Sequence, residues 1–423
     1  MAQQNASTTD NSVSPHGGAL IERVTDPERV DADVWRSKTI PVRGQIATEV
    51  LSIAYGFFSP LEGFMSQADV DSVAREMRLA NGLVWSVPIV FDLSDQEIEE
   101  FGVGVGETFL LTHHGAPFAT FDVEEIYSYD KESMAEQVYG TTSGEHPGVV
   151  RTRAYKEKFL AGKITLVNPP AVNAPFDAFW VTPRELRATF AENGWRKVVA
   201  HQTRNVPHVG HEWLMKSAWF DAGADAILAN PVIGEKKEGD AIDEAILLGH
   251  SALREAGYFK PDVHMTSMLL WDMRYAGPRE AVFHALVRKN MGCTHHMFGR
   301  DHAGVGSFYD PYAAHRIFEQ IPAIGIEPVI TLAWSVCDLC GPAYERFCAH
   351  DDRKNPVSGT WVRGLIKSGE RPDASVFRPE VFDAMLQAGE RYGAGTPFVT
   401  EDYLKNREPV FTVPELASVA AGT

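Results

Sequence analysis

His201-Gln-Thr-Arg-Asn-Val-Pro-His-Val-Gly-His-Glu212 joins an apolar run, Lys197-Val-Val-Ala200, to a helix-like run, Glu212-Trp-Leu-Met-Lys-Ser-Ala-Trp-Phe220. Strand, polar turn and helix in that order mark the carboxyl edge of an open α/β sheet, where such sheets hold ligands. The turn carries two imidazoles spaced H-x-x-H (His208 and His211), the guanidinium of Arg204, and the amides of Gln202 and Asn205. Guanidinium, imidazole and amide N–H groups suit a polyphosphate together with a small oxyanion. Gly210 lets the helix start approach a ligand closely, with its backbone N–H groups aimed at an anion.

Outward from this turn, strands and helices alternate. Upstream, Thr182-Pro-Arg-Glu185 reads as a helix start, with Thr182 as N-cap, Pro183 in the first turn and Glu185 completing a capping box. Downstream, Ala224–Leu228 and Val263–Leu270 read as strands, Pro278–Arg288 as a helix and Cys293–Phe298 as a further strand. That succession predicts a doubly wound parallel sheet. Gly299-Arg-Asp-His-Ala-Gly-Val-Gly306 then repeats the earlier logic, a strand followed by a turn with Arg300, His302 and glycines. Two such turns on one sheet can close on a single crevice, and the backbone N–H groups of Ala303 and Gly304 can form an anion nest.

The remainder reads differently. Residues up to about 175 are mostly β in pattern, with Val87–Phe91, Thr108–Thr112 and Phe118–Val123 as strand-like runs. Gly102-Val-Gly-Val-Gly106 is a turn between strands, since no strand-to-helix unit surrounds it. The expected organisation is a disordered N-terminus (1–15), a β-rich domain (16–175), a catalytic α/β domain (176–331), a small C-terminal α/β subdomain (332–400) and a tail (401–423).

At 423 residues the chain is long enough for two or three domains with their own cores. A formal net charge of −18 speaks against nucleic acid or an anionic membrane as the main partner. There is no apolar run long enough to span a bilayer, and the first residues are polar, so a cytoplasmic location is expected. Three of the four cysteines lie close together, and Cys337, Cys340 and Cys348 with His350 form C-x2-C-x7-C-x-H. That spacing is a candidate structural zinc site, against the alternative of reduced, partly buried thiols. Cys293, alone in a strand, reads as core.

Together the two turns resemble those of the ATP sulfurylase (sulfate adenylyltransferase) family. The family writes its first turn Q-T-R-N-P-x-H-x-x-H, and here Gln202-Thr-Arg-Asn-Val-Pro-His-Val-Gly-His211 keeps the spacing while shifting the proline to Pro207. Its second, G-R-D-H-A-G, is Gly299–Gly304. Ser59-Pro-Leu-Glu-Gly-Phe-Met65, Tyr139-Gly-Thr-Thr142, His146-Pro-Gly-Val149, Met273-Arg-Tyr-Ala-Gly-Pro-Arg-Glu-Ala281, Ser358–Arg363 and Arg378-Pro-Glu-Val381 also match, in family order. The resemblance implies a PUA-like β-rich barrel followed by an adenylyl-transferring domain of the H-x-G-H superfamily. The appended kinase domain of some members is not expected, since no G-x-x-x-x-G-K-[ST] occurs.

The implied reaction is ATP plus sulfate giving adenylyl sulfate (APS) and pyrophosphate. Sulfate attacks the α-phosphorus in line and needs no general base, so the protein's work is positioning and charge stabilisation. The resemblance implies that Gln202, Arg204 and Ala303 bind sulfate. It implies that Thr203 and Asn205 contact phosphates at the reacting phosphorus, and that His208 and His211 stabilise the α/β phosphates and the leaving pyrophosphate. Gly299, Arg300, Asp301 and His302 are expected to bind ATP, with Val329 near the adenine. Magnesium accompanies the nucleotide, and a homodimer is expected. Arg274 and Arg279 are candidates for a mobile lid, with an ordinary surface role as the alternative; His284 reads as a plain helix residue. Rival functions are another H-x-G-H nucleotidyltransferase, such as an aminoacyl-tRNA synthetase or a coenzyme adenylyltransferase, and an RNA-binding protein that uses the PUA-like domain.

Overall fold

The computed structural model describes residues 13–355 and 359–415. The first twelve residues of the expected disordered N-terminus lie outside that range, as does Ser358. Val13 is anchored, its carbonyl accepting from Arg187 Nη1 at 2.8 Å.

The N-terminal domain is built on β1 (Thr39–Pro41), β2 (Gly63–Phe64), β3 (Phe91–Leu93), β4 (Thr108–His113), β5 (Ala116–Tyr127) and β6 (Lys158–Leu166). They run in the order β1-β4-β5-β6-β2, with β3 also on β6. Only β1 and β4 are parallel; the other pairs are antiparallel. Five helices accompany this sheet, a larger helical share than the sequence suggested. One of them, Gly44–Ala54, is buried along most of its length, including the polar Glu49 and Ser52. The expected strand Val87–Phe91 forms its ladder later, at β3, because Pro88 has no N–H to give and the Ile89 N–H is spent on the Met65 sulfur at 3.4 Å.

After β7 (Ala171–Val172) come β8 (Val198–Thr203), β9 (Ala226–Ile233), β10 (His264–Thr266), β11 (Leu269–Leu270), β12 (His295–Phe298) and β13 (Glu327–Ile330). They make a parallel sheet in the order β10-β9-β8-β12-β13, with β11 also on β9. The chain thus enters mid-sheet at β8, builds outward to β10, then crosses back to lay β12 on the other side of β8. Loops leaving β8 and β12 diverge at this reversal and leave a crevice at their carboxyl ends. The single strand expected over Val263–Leu270 is two strands, β10 and β11. Met268 leaves the ladder between them to donate to the Phe179 carbonyl at 3.0 Å.

A small antiparallel unit follows, with β14 (Trp334–Cys337) between β15 (Gly341–Tyr344) and β16 (Lys354–Asn355). Helices Gly359–Ser368, Pro379–Tyr392 and Glu401–Asn406 lead to β17 (Phe411–Thr412), which pairs with β7. The C-terminal segment therefore returns to the junction of the two large domains, and the carbonyl of Pro414 accepts from Asn168 Nδ2 at 2.9 Å.

One apolar core runs through both large domains. Phe58 of the first packs edge-on against Trp271 and Phe283 of the second, at 5.6 and 5.2 Å between ring centres. Polar staples reinforce it. Asn290 Nδ2 donates to the carbonyls of Phe57 and Ser59, both at 2.9 Å. Arg274, 2 % exposed, pairs with Glu49, also 2 % exposed. Arg279 donates to the Val73 carbonyl at 2.9 Å, and burial draws its pKa down to about 10. Arg274 is thus a buried residue rather than a surface one, and the half-buried Arg279 is held by a carbonyl of the other domain. Both tie the domains together, which residue type and spacing alone could not show.

Candidate active site at the sheet crossover

β8 extends further than the apolar run suggested, so Gln202 and Thr203 are its last two residues rather than part of the turn, in register with Asn230 and Pro231 of β9. Strand pairing fixes their directions. The Thr203 hydroxyl accepts from the backbone N–H of Asn205 at 3.1 Å and closes the turn. The following helix, Val209–Ala222, starts earlier than expected, with His208 as its N-cap and a bond from the His208 backbone N–H to His211 Nδ1 at 3.4 Å. The two rings lie 3.9 Å apart between centres. A Cβ on Gly210 would stand 2.7 Å from Cε1 of His208, so only glycine leaves that ring in place.

The second turn leaves β12 by different means. Asp301 and Ala303 adopt φ of 57° and 56°, left-handed values that flank His302 and reverse the chain twice. Two non-glycine residues in this region are a strained arrangement of the kind that clusters at functional sites. Its backbone is tied down by Asp301 N–H to the Pro311 carbonyl at 2.7 Å and by Gly277 N–H to the Ala303 carbonyl at 3.0 Å. The Gly304 N–H turns toward the Asp301 carbonyl at 3.4 Å.

Both turns open on one cavity of about 190 Å³, lined by Gln202, Thr203, Arg204, Asn205, His211 and Gly299 through Gly304, with His201, Leu214, Met273 and Met297. Arg204 and Arg300 thus share a pocket. A second cavity of about 280 Å³ adjoins it through Arg204, Asn205 and His211, and adds His208, Lys236, Asp240 and Arg363. Phe377, Met385 and Phe398 of the C-terminal segment form its apolar wall. Val329 is buried in β13, in register with Met297, and lines neither cavity.

Two features escaped the sequence reading. Arg204 Nη1 donates to the Tyr275 hydroxyl at 2.5 Å, and its guanidinium lies 4.8 Å from the centre of that ring. Tyr275 itself sits at φ 59°. The second is His284, which is not a plain helix residue. Fully buried, its Nδ1 lies 3.0 Å from Nε2 of His302. A positive-φ aromatic and a histidine on a helix give no one-dimensional signal, because each meets its partner, Arg204 or His302, only in the folded chain.

The electrostatics are those of a neutral-histidine site. Burial holds His208 well below the ordinary imidazole range, draws His211 to about 4 and, with help from Arg288, draws His302 to about 3. Nδ1 of His208 is a buried atom without a hydrogen-bond partner. Such an orphaned atom is costly unless a ligand or water meets it.

The cysteine cluster lies apart from this crevice. Sγ of Cys337, Cys340 and Cys348 and a ring nitrogen of His350 all fall within 4.8 Å of one another. His350 Nδ1 is 3.7, 3.3 and 3.8 Å from the three sulfurs. The four cysteines are unbridged. Three thiols and an imidazole converging on one point fit a tetrahedral metal ion. Cys293 is fully buried, and burial pushes its thiol up to about 12.

An ATP-sulfurylase family model matches residues 177–388, and a PUA-like domain model matches residues 13–169. The chain belongs to the ATP-sulfurylase family. The sulfate adenylyltransferase of Archaeoglobus fulgidus is 39 % identical over 95 % of this chain and 97 % of its own length. That of Hyperthermus butylicus is 42 % identical over 88 % of this chain and 95 % of its own. The fold is shared with a solved structure described as a hexameric APS kinase from Thiobacillus denitrificans, with TM-score 0.70 and 21 % identity, covering 89 % of this chain and 68 % of that one. No helix among the described residues is long and apolar enough to cross a membrane.

Proposed function

We propose that the crossover crevice performs the sulfate adenylyltransferase reaction, the activity by which its relatives are named: ATP plus sulfate gives APS and pyrophosphate, reversibly. One observation carries this reading. Two turns almost a hundred residues apart in sequence bring Gln202, Arg204 and His211 against Arg300, His302 and Ala303 around one small pocket. Two anions must meet for the reaction to proceed, and preorganised N–H and cationic donors are what lower that barrier.

Roles follow from position. Arg204, with Gln202 and the Ala303 backbone, binds sulfate; its planar fork suits a tetrahedral oxyanion. The Tyr275 ring and hydroxyl hold that fork in one orientation. Thr203 and Asn205 face the α-phosphate. His208 and His211 meet the departing pyrophosphate, whose room is the adjoining cavity with Lys236. Gly299, Arg300, Asp301 and His302 bind the nucleotide, with Val329 behind it in the sheet. The cavities offer few carboxylates, Asp301 in one and Asp240 in the other, too few for a protein-built magnesium cage. Magnesium therefore enters with the nucleotide, held by phosphates and water. The test is ATP–pyrophosphate exchange. Exchange that requires sulfate supports the reading; exchange that requires an amino acid instead assigns the site to an aminoacyl-tRNA synthetase-like enzyme.

The Cys337, Cys340, Cys348 and His350 cluster is assigned to structural zinc, where the ion would brace β14, β15 and the loop behind them. Metal analysis should find about one zinc per chain, and Cys348→Ser should lose it along with thermal stability. A homodimer is the expected assembly, checked by light scattering on the eluting protein.

A further inference from the structure

Behind the cavity a line of buried groups leads from His302 into the core. Glu280, fully buried, accepts from Trp271 Nε1 at 2.8 Å, from the Arg274 backbone N–H at 2.9 Å and from the Ala276 backbone N–H at 3.0 Å. Its Oε1 stands 3.6 Å from Nε2 of His284, and His284 Nδ1 stands 3.0 Å from Nε2 of His302. The other ring nitrogen of His302, Nδ1, makes no protein hydrogen bond among the described residues, and His302 lines the smaller cavity.

This order constrains the protons. A lone pair on His284 Nε2 would face the carboxylate of Glu280 in a dry interior, which is unfavourable; an N–H there is attracted. His284 is then an acceptor at Nδ1, so the short contact must be donated by His302 Nε2–H. A neutral His302 that donates at Nε2 carries its lone pair at Nδ1. Burial and the nearby Arg288 guanidinium disfavour charge on both rings. An anionic oxygen gains nothing from a lone pair, whereas a hydroxyl or amine does.

We infer that Glu280 and His284 are positioning residues that fix His302 as the Nε2–H tautomer, and that His302 Nδ1 therefore accepts a hydrogen bond from a donor on the nucleoside, a ribose hydroxyl or the exocyclic amine, rather than binding a phosphate or sulfate oxygen. This rests on the assignment of ATP to the crevice. It divides the second turn into an anion-facing part, Arg300, and a nucleoside-facing part, His302.

Nitrogen NMR of the full-length protein with labelled histidine, assigned by loss of signals in H302Q and H284Q, reads the tautomers directly and without reference to activity. The expected spectrum at neutral pH has Nε2 protonated and Nδ1 bare on both rings. A protonated Nδ1 or an imidazolium on either ring overturns the inference. The kinetic arm compares ATP with its 2′-deoxy and 3′-deoxy analogues and with inosine triphosphate. At least one analogue should have a KM raised tenfold or more in the unaltered enzyme. That penalty should shrink severalfold in His302→Ala and in His284→Phe; a role in packing alone would leave the relative penalty intact. Equal use of all three analogues by the unaltered enzyme also overturns the inference. Failure of the parent reading looks different, since no nucleotide would then support sulfate-dependent exchange while the spectrum stayed as expected.

Discussion

The two turns that meet in the crevice reach the same place by opposite means. The first, Gln202 to His211, is built from regular structure: the end of β8, a hydroxyl-closed turn and a helix N-terminus. The second, Gly299 to Gly304, has no helix of its own and takes its shape from two non-glycine residues at positive φ. In the first turn the side chains are placed by secondary structure that would form under many sequences, so the chemistry lies in which side chains are present. In the second the backbone itself is the device, and it holds only because the β12 edge, the Gly277 contact and the His284 contact over-determine it.

The comparison can be broken at several points. The largest effect belongs to the first turn, where a charge is removed. Arg204→Ala should lower sulfate-dependent exchange by roughly 100- to 1,000-fold while leaving the melting temperature near that of the parent. If the loss were instead matched by unfolding, the division between chemistry in one turn and backbone in the other would fail.

Next comes the backbone of the second turn. Ala303 contributes a small side chain at φ 56°. Ala303→Val places a β-branched residue there and should cost about tenfold in activity, whereas Ala303→Gly should keep most of it, since glycine adopts that φ freely. Steady-state kinetics on the pair decide the matter; equal losses would show that the methyl group, not the chain path, is what counts.

A smaller effect tests the support of Arg204. Tyr275→Phe removes the hydroxyl that accepts from its guanidinium but keeps the ring beneath it. The KM for sulfate should rise about fivefold, the worth of one modest hydrogen bond, with kcat little changed.

The gentlest probe is pH. His211 and His302 are held neutral by burial, with folded values of about 4 and 3 against an ordinary value near 6.5. The unfolded chain therefore binds more protons below neutrality, and stability falls as pH drops from 6.5 toward 4. Thermal denaturation should show a plateau above pH 7 and a decline beneath it. Saturating nucleotide should blunt that decline if His211 meets its phosphates in the crevice, since an anion raises the folded value.

Much of this was legible in one dimension because the signals were local. Thr182, Pro183 and Glu185 form the capping box that their spacing announced, since a cap is a matter of three adjacent residues. Alternating strands and helices after residue 182 gave the parallel sheet, and the two Arg/His turns gave the crevice. The helix Gly44–Ala54 is misleading for another reason: its polar stripe, Gln45, Thr48, Glu49 and Ser52, keeps the helical period, yet Glu49 and Ser52 are buried against the second domain, at Arg274 and the Leu270 carbonyl. Arg274 and Arg279 resembled lid residues because a charged side chain in a loop or at the start of a helix carries no mark of burial. Only the partner Glu49, over two hundred residues earlier, makes Arg274 a staple.

By itself the sequence determined which donors the chain possesses, that they follow parallel strands, and that three thiols and an imidazole lie close enough along the chain to share a metal. Tertiary structure alone decided that the two turns flank the point where strand order reverses, that Tyr275 lies beneath Arg204, and that His284 stands behind His302. Local pattern is set by interactions between neighbours a few residues apart, which the order of residues records. The proton arrangement and orientation of a buried side chain are set by whatever the folded chain brings beside it, and that contact exists only once a single core has drawn the two domains together.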